Sequence, residues 1–248
     1  MTTAIIDGDV LIFQAAEASE RIFDWGDDLW SIAADLREAQ GRLRVAIEEV
    51  TRNCGAETWE LCVSDGHGTF RHQLWPEYKG NRKKRKPLVF RALRDWAVRE
   101  LGALSLPGLE GDDVMGIVAT NLSHPDRTVL VTIDKDLKGI PGYHWNPMHP
   151  ELGVVAVTPE EADRWHLIQT VAGDSTDGYS GVPGLGPVKA ARLLDAEGAT
   201  WETVVKAYAS KGLTEAEALL NARLAKILTS ENWDAQNQRV ILWSPKKK

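Results

Sequence analysis

The chain has 248 residues, 43% hydrophobic and 26% charged, a balance that fits one large globular domain or a domain with a small appendage. No apolar run approaches the roughly 18 residues a bilayer span needs, and the N-terminus lacks the basic, apolar and cleavage regions of a signal peptide. Only Cys54 and Cys62 occur, which excludes a disulfide framework and points to a reducing cytoplasm, while the formal charge of −7 argues at first sight against nucleic acid as a partner.

Ala4-Ile5-Ile6 reads as a short apolar strand that delivers Asp7 at its carboxyl end. Residues 10–18 and 29–52 read as helices, the second with a mostly charged outer face. Trp59-Glu60-Leu61-Cys62-Val63 is the next strand, with Asp65 just beyond it. From 66 to 87 the chain is polar, basic and rich in turn residues, which predicts a long functional loop or arch. Helix resumes with Phe90, Leu93, Ala97 and Leu101, residues 103–106 form a brief strand, and Glu110 opens a helix reaching about residue 122.

Thr128-Val129-Leu130-Val131-Thr132 is the clearest strand, β-branched and apolar, and Asp134 and Asp136 follow it. Short strands are expected at 143–145 and 154–157. Thr158 and Glu161 make a capping box with Pro159 at the first helical position, so a helix runs to about Val171. Helices over 187–194, 200–209 and 214–228 fill the last third, and the Lys246-Lys247-Lys248 tail is expected to fray. Strands alternating with helices predict an α/β fold whose mainly parallel central sheet gathers ligands at its carboxyl ends. The division expected is a catalytic α/β region over 1–165 and a helical region over 166–248.

Nine carboxylates stand in short clusters at or near those strand ends: Asp7, Asp65, Glu110, Asp112, Asp113, Asp134, Asp136, Asp174 and Asp177. Two unit charges about 4 Å apart repel by roughly 4 kcal/mol at an effective dielectric near 20, so a fold that converges several of them needs a cation. Hard oxygen donors without nearby Cys or His suit Mg²⁺ or Mn²⁺ better than zinc. A single acid after a strand is ordinarily a cap or turn residue, and acids in a first helical turn complement the macrodipole. Three acids within Glu110-Gly111-Asp112-Asp113 exceed what capping needs. With the nine set aside, the −7 formal charge becomes +2, so local distribution matters more than the whole-chain balance.

Two further motifs fit phosphate. Gly181-Val182-Pro183-Gly184-Leu185-Gly186-Pro187 allows close backbone approach, with free N–H groups at a helix start and Lys189 and Arg192 at helical spacing behind it. Arg82-Lys83-Lys84-Arg85-Lys86 follows Trp75, Pro76, Tyr78 and Lys79, so cations stand beside stacking surfaces, as single strands require. Such a run is more commonly a solvated face, and such glycine turns also occur as plain loops. The ten tryptophans fit core packing, and the six histidines show no ligand spacing.

Taken in order, these residues resemble the 5′ nuclease superfamily, which includes flap endonucleases and the 5′ nuclease domain of bacterial DNA polymerase I. The likeness rests on Ile6-Asp7-Gly8, Pro76-Glu77-Tyr78-Lys79-Gly80-Asn81-Arg82, Glu110-Gly111-Asp112-Asp113-Val114, Thr132-Ile133-Asp134-Lys135-Asp136-Leu137 and Gly173-Asp174-Ser175-Thr176-Asp177-Gly178. It is strongest toward the 5′→3′ exonucleases of short-tailed podophages, through Trp165-His166-Leu167, Gly178-Tyr179-Ser180-Gly181 and the ending Ile241-Leu242-Trp243. Lys83-Lys84 departs from the common pattern, standing where the polymerase-type sequence has an acidic pair. Asp9 is an acid absent from many relatives.

The resemblance implies a PIN-like fold with a helix–three-turn–helix element at 181–194, and a 5′→3′ exonuclease acting on duplex DNA. It also implies flap cleavage and removal of RNA from RNA–DNA hybrids, and a site in the cytoplasm, the host's if the chain is phage-encoded. Two Mg²⁺ are implied, replaceable by Mn²⁺, with K⁺ at the helix–three-turn–helix element. Asp7, Asp65, Glu110, Asp112 and Asp113 belong chiefly to one metal; Asp134, Asp136, Asp174 and Asp177 belong to the other. Lys79 and Arg82 are expected to act on the scissile phosphate. Tyr78, Lys83, Lys84, Arg85, Lys86, Gly184, Gly186, Lys189 and Arg192 are expected to contact DNA, recognising its backbone and not its sequence. Two readings compete: Asp7-Gly8-Asp9-Val10-Leu11 also resembles the opening of a haloacid-dehalogenase-type phosphatase with Asp7 as nucleophile, and the same surface would suit a non-catalytic DNA-end-binding protein.

Overall fold

The computed structural model describes residues 1–82, 84–121 and 127–245. At its centre lies β1 (Thr2–Asp7), hydrogen-bonded in parallel to β4 (Thr58–Cys62) on one side and β5 (Arg127–Val131) on the other. The sheet continues through β6 (Gly142–Trp145), parallel to β5, and closes with β7 (Val155–Val157), its antiparallel edge. The order β4-β1-β5-β6-β7 matches the expected mainly parallel sheet. Alternation sends neighbouring β1 residues to opposite faces. Ala4 and Ile6 enter a core formed with α1 (Gly8–Glu17), α2 (Leu36–Asn53) and α4 (Phe90–Glu100). Ile5 joins the other face, with Val114 and Met115 of α5 (Gly111–Ala119) and with Ile227 and Leu228.

Two glycines let the helices close on the sheet. A Cβ at Gly8 would sit 2.6 Å from the Cys62 carbonyl oxygen, so α1 reaches β4 only through a residue without a side chain. At Gly116 a Cβ would lie 2.2 Å from the Leu228 carbonyl oxygen, which fixes how closely the C-terminal segment crosses α5. The capping box at Thr158 and Glu161 opens α6 (Pro159–Ala172), as its spacing predicts. Beyond it, α7 (Pro187–Glu197), α8 (Trp201–Ala209) and α9 (Glu215–Ala225) pack with α6 around Leu167, Val171, Leu194, Val204 and Tyr208. Among the described residues no helix is long and apolar enough to cross a membrane.

Several expectations need correction. Residues 29–34 are not helical: Trp30–Ala34 forms β3, an antiparallel partner of β2 (Glu20–Asp24). The alternating Trp30-Ser31-Ile32-Ala33 and the Gly26-Asp27-Asp28 turn carry that outcome, and Asp35 caps α2 by accepting from the Arg37 and Glu38 N–H groups. The segment 66–87 is not one open loop, because it contains α3 (Phe70–Leu74). The strand expected at 103–106 reduces to a single parallel bridge between Leu104 and Cys62. The division at 165 falls inside α6, which runs unbroken, while Ile227 and Leu228 return to the sheet's core. Helix α5 stops at Ala119, short of the expected residue 122, and the lysine tail lies outside the described residues.

Candidate active site

The carboxyl ends of β1, β4 and β5 point the same way, and each hands its chain to a turn that places an acid. Asp7 ends β1 and caps α1, accepting from the Val10 N–H at 3.2 Å and from the Thr132 hydroxyl at 3.1 Å. Asp134, just past β5, accepts from the Asp136 N–H at 2.8 Å, which shapes a short 3-10 turn over Lys135–Gly139. Asp174 accepts from the Thr176 and Asp177 N–H groups, a turn that joins β8 (Gly173–Asp174) to β9 (Tyr179–Ser180). Together with α5 these turns surround a cavity lined by Glu110, Asp112, Asp134, Asp136, Asp174 and Asp177, with Lys79, Arg82 and Lys135 among them.

Charge sorts these acids into two kinds. Lost hydration first, then the charges of Asp7, Asp134 and Glu110, push the Asp112 carboxyl well up, with Lys79 a partial offset. No N–H or O–H donor of the described residues bonds to it. Burial and then Asp9 raise Asp7 to about 7. Asp136 is also raised, by desolvation, despite a 2.7 Å bond from Lys135. Burial pulls Glu110 upward too, but Arg71 and Lys79 outweigh it and hold it below the usual carboxylate range. Asp177 accepts from Arg82 at 2.6 Å and from the Tyr78 hydroxyl at 2.8 Å. No three His, Cys, Asp or Glu side chains among the described residues close on a common point, and the acids stay spread along the wall.

Lys79 is held at an unusual angle. Its φ of 56° is left-handed, a conformation that costs an L-residue roughly 1–2 kcal/mol. A 2.8 Å bond from its N–H to the Asp177 carbonyl fixes the backbone, and its ammonium then reaches Glu110 at 2.6 Å. Strain kept at a cavity wall is the kind that a functional side chain justifies.

Five expected site residues have other partners. Asp113 is fully buried and accepts from Arg71 at 2.6 and 2.9 Å and from the Leu228 N–H at 3.1 Å, which makes it an internal anchor. Tyr78 is buried, its one hydroxyl proton shared between Asp177 and Glu110, so it offers no open ring for a base. Arg85 is committed through two bonds to Glu20, while Lys86 lies 4.5 Å from the Phe90 ring centre. Asp65 stands away from the cavity wall, one oxygen accepting from the Gly108 N–H at 2.9 Å. Lys84 is exposed, and Lys83 lies outside the described residues.

Next to this cavity, with Tyr179 in both walls, Ala172, Ser175 and residues 178–186 line a second depression of about 470 Å³. Gly184 takes a left-handed φ of 82°, Gly186 caps α7, and Lys189 reaches back to the Gly184 carbonyl. Arg192 is exposed on the same helix. Asp9, near the acids in sequence, is turned aside to the Ser64 N–H and hydroxyl.

Arg71 is the residue that motif reading missed. Only 2% exposed, it ties Glu110 and Asp113 to the carbonyls of Leu224 and Lys226 at the end of α9. A lone arginine beside Phe70 in a polar stretch gives little signal. The one available clue was the need of so many acids for an internal cation.

The family model for the 5′-3′ exonuclease N-terminal resolvase-like domain matches residues 2–144. The chain is 32% identical to the exodeoxyribonuclease of Enterobacteria phage T3 over 285 aligned positions, covering 98% of this chain and 92% of that protein. With the exonuclease of Escherichia phage T7 the identity is 30%, covering 97% and 93%. The flap endonuclease of bacteriophage T5, solved with DNA and metal ions, shares the fold at a TM-score of 0.67 and 15% identity, covering 92% of this chain and 89% of that one.

Proposed function

The chain belongs to the 5′-3′ exonuclease family with a resolvase-like N-terminal domain, and from that premise we propose that it hydrolyses DNA phosphodiester bonds as a metal-dependent 5′→3′ exonuclease and flap endonuclease. The observation that carries the reading is Asp112: a carboxylate on the cavity wall whose main neighbours are other carboxylates. Such a group is stabilised when a cation enters among hard oxygen donors, so the residues fit a divalent ion. Asp7, Glu110 and Asp112 would hold one Mg²⁺; Asp134, Asp136, Asp174 and Asp177 would hold a second, with Mn²⁺ able to substitute. Bound there, such ions supply Lewis acidity and a nucleophilic water at neutral pH.

The chain's own residues do the rest. Lys79 and Arg82, paired with Glu110 and Asp177 at 2.6 Å each, form the cationic side of the cavity. An incoming phosphate would draw both from their carboxylates and place positive charge where the transition state gains negative charge. Arg71 keeps Glu110 ionised and seated while α9 braces it from behind. Backbone N–H groups of the 181–186 loop, with Lys189 and Arg192, would grip one strand of the duplex through its phosphates, with K⁺ at that loop.

Substrates on this reading are duplexes with free 5′ ends, 5′ flaps and RNA–DNA hybrids. Neither competing activity gains support. The matching family model and the phage relatives are exonucleases, with no phosphatase among them. A pure end-binding protein would not need a strained lysine facing acids. The test is product analysis on 5′-labelled blunt, recessed, flapped and hybrid substrates with and without Mg²⁺. Short labelled products that vanish on chelation are expected, and label released solely from 3′ ends overturns the polarity.

A further inference from the structure

Between α1 and α2 the chain makes an excursion that the active site does not use. β2 and β3 pair with each other and with no other strand among the described residues. The ribbon is apolar on both faces. Ile22, Ile32 and Trp30 share one face, Ile22 and Trp30 being 65% and 58% exposed. On the other, Trp25 is 66% exposed and stacks on Phe23, with Leu29 exposed at the tip. Single exposed apolar residues are ordinary, but six large ones on one ribbon mark an interaction site.

Acids are set among these rings. Asp24, Asp27 and Asp28 are exposed around the turn, the last two in the left-handed region at φ of 47° and 59°. Trp25 donates its indole N–H to the Ser31 hydroxyl at 2.8 Å, and the Gly26 N–H donates to Asp24 at 2.9 Å, so the tip has a defined shape. At the root, Glu20 accepts from Arg85 and from the Leu88 N–H, which fixes the ribbon beside the basic segment. The hairpin's one cation, Arg21, is already paired with Glu38.

We propose that this hairpin is a docking finger for a protein partner that presents an apolar groove rimmed by lysine or arginine. Charge complementarity selects that occupant. Phosphates of a nucleic acid would meet three carboxylates with no hairpin cation left to answer them, and a second copy of the ribbon would bring the same carboxylates face to face. Rings that fill a groove while carboxylates meet its rim give both burial and register. The inference stands apart from the nuclease reading.

The test uses the whole protein labelled with 5-fluorotryptophan, with the Trp25 and Trp30 resonances assigned from Trp25→Phe and Trp30→Phe. Three probes are titrated at low salt: an amphipathic leucine–lysine peptide, its leucine–glutamate counterpart, and a single-stranded oligonucleotide. The cationic peptide alone should shift both resonances, saturably and less strongly as salt rises. The triple variant Asp24→Asn, Asp27→Asn, Asp28→Asn should weaken that response at least about tenfold. Undiminished binding by the triple variant would place the peptide on another acidic face and overturn the proposal. So would a response to the oligonucleotide, or shifts that follow protein concentration alone. A fall in DNA cleavage by Trp25→Ser with Trp30→Ser would put the hairpin in the substrate's path, and overturn it equally.

Discussion

Asp112 and Asp113 are neighbours in the chain and opposites in the molecule. One helical step turns them about 100° apart. Asp112 faces the cavity, among Asp7, Asp134 and Glu110, with no donor among the described residues to satisfy it. Asp113 faces inward, where Arg71 and the Leu228 N–H occupy both its oxygens. The cavity wall thus keeps one carboxylate among like charges, and the interior just behind it holds one whose charge is fully answered. Function needs the first; the first cannot be held in shape without the second.

The sharpest way to break this contrast is Asp112→Asn. Cleavage of a 5′-labelled duplex should fall by about 10³-fold or more, while the urea midpoint stays level or rises, because repulsion with Asp7 and Asp134 is relieved. A normal turnover would end the assignment. Next is Arg71→Met, which leaves Asp113 buried without its cation and should lower stability by about 3–5 kcal/mol in urea denaturation. Arg71→Met combined with Asp113→Leu should recover much of that loss, since removing both charges removes the unpaired one. If the double variant is no better than the single, the pair is not the anchor described here.

The interior should also set part of the acid limb of stability. His166 is 3% exposed, with its Nε2 2.7 Å from the Ala222 carbonyl, and burial followed by the charge of Lys226 lowers it to about 3. Its folded pKa lies below the unfolded value near 6.5, so the unfolded chain takes up the proton first as pH falls. The stability it contributes is present above pH 6.5 and is lost progressively toward pH 3, at up to about 1.4 kcal/mol per pH unit. His166→Gln should flatten that slope relative to the parent chain in urea melts at pH 7, 6 and 5. The smallest effect lies in the glycine loop and the helix it opens. Lys189→Gln or Arg192→Gln should weaken duplex binding alike for all sequences and reduce the salt slope by about one each; a sequence-dependent loss would contradict backbone recognition.

Much of the fold was legible because burial pattern and chain length speak directly. Ala4-Ile5-Ile6 and Thr128 to Val131 are apolar runs too short for helices, and the Thr158/Glu161 box marks where α6 starts. The ribbon of β2 and β3 was not legible, because short apolar stretches fit either period and the deciding Gly26-Asp27-Asp28 turn is weak in isolation. Of the site, the acid clusters and Lys79 could be named from spacing and family likeness. That Tyr78 would point inward, that Arg85 would be taken by Glu20, and that Arg71 would matter at all depended on partners 32 to 153 positions away.

The sequence by itself determined which groups carry charge, which stretches must be buried, and that an acid-rich sheet edge would face basic segments. Those follow from side-chain chemistry and from periods of two and 3.6 residues, which are local. Tertiary structure alone decided which acids are neutralised from within and which are left to the cavity. A carboxylate's role depends on the charges within a few ångströms of it, and the chain brings those from residues far apart in sequence.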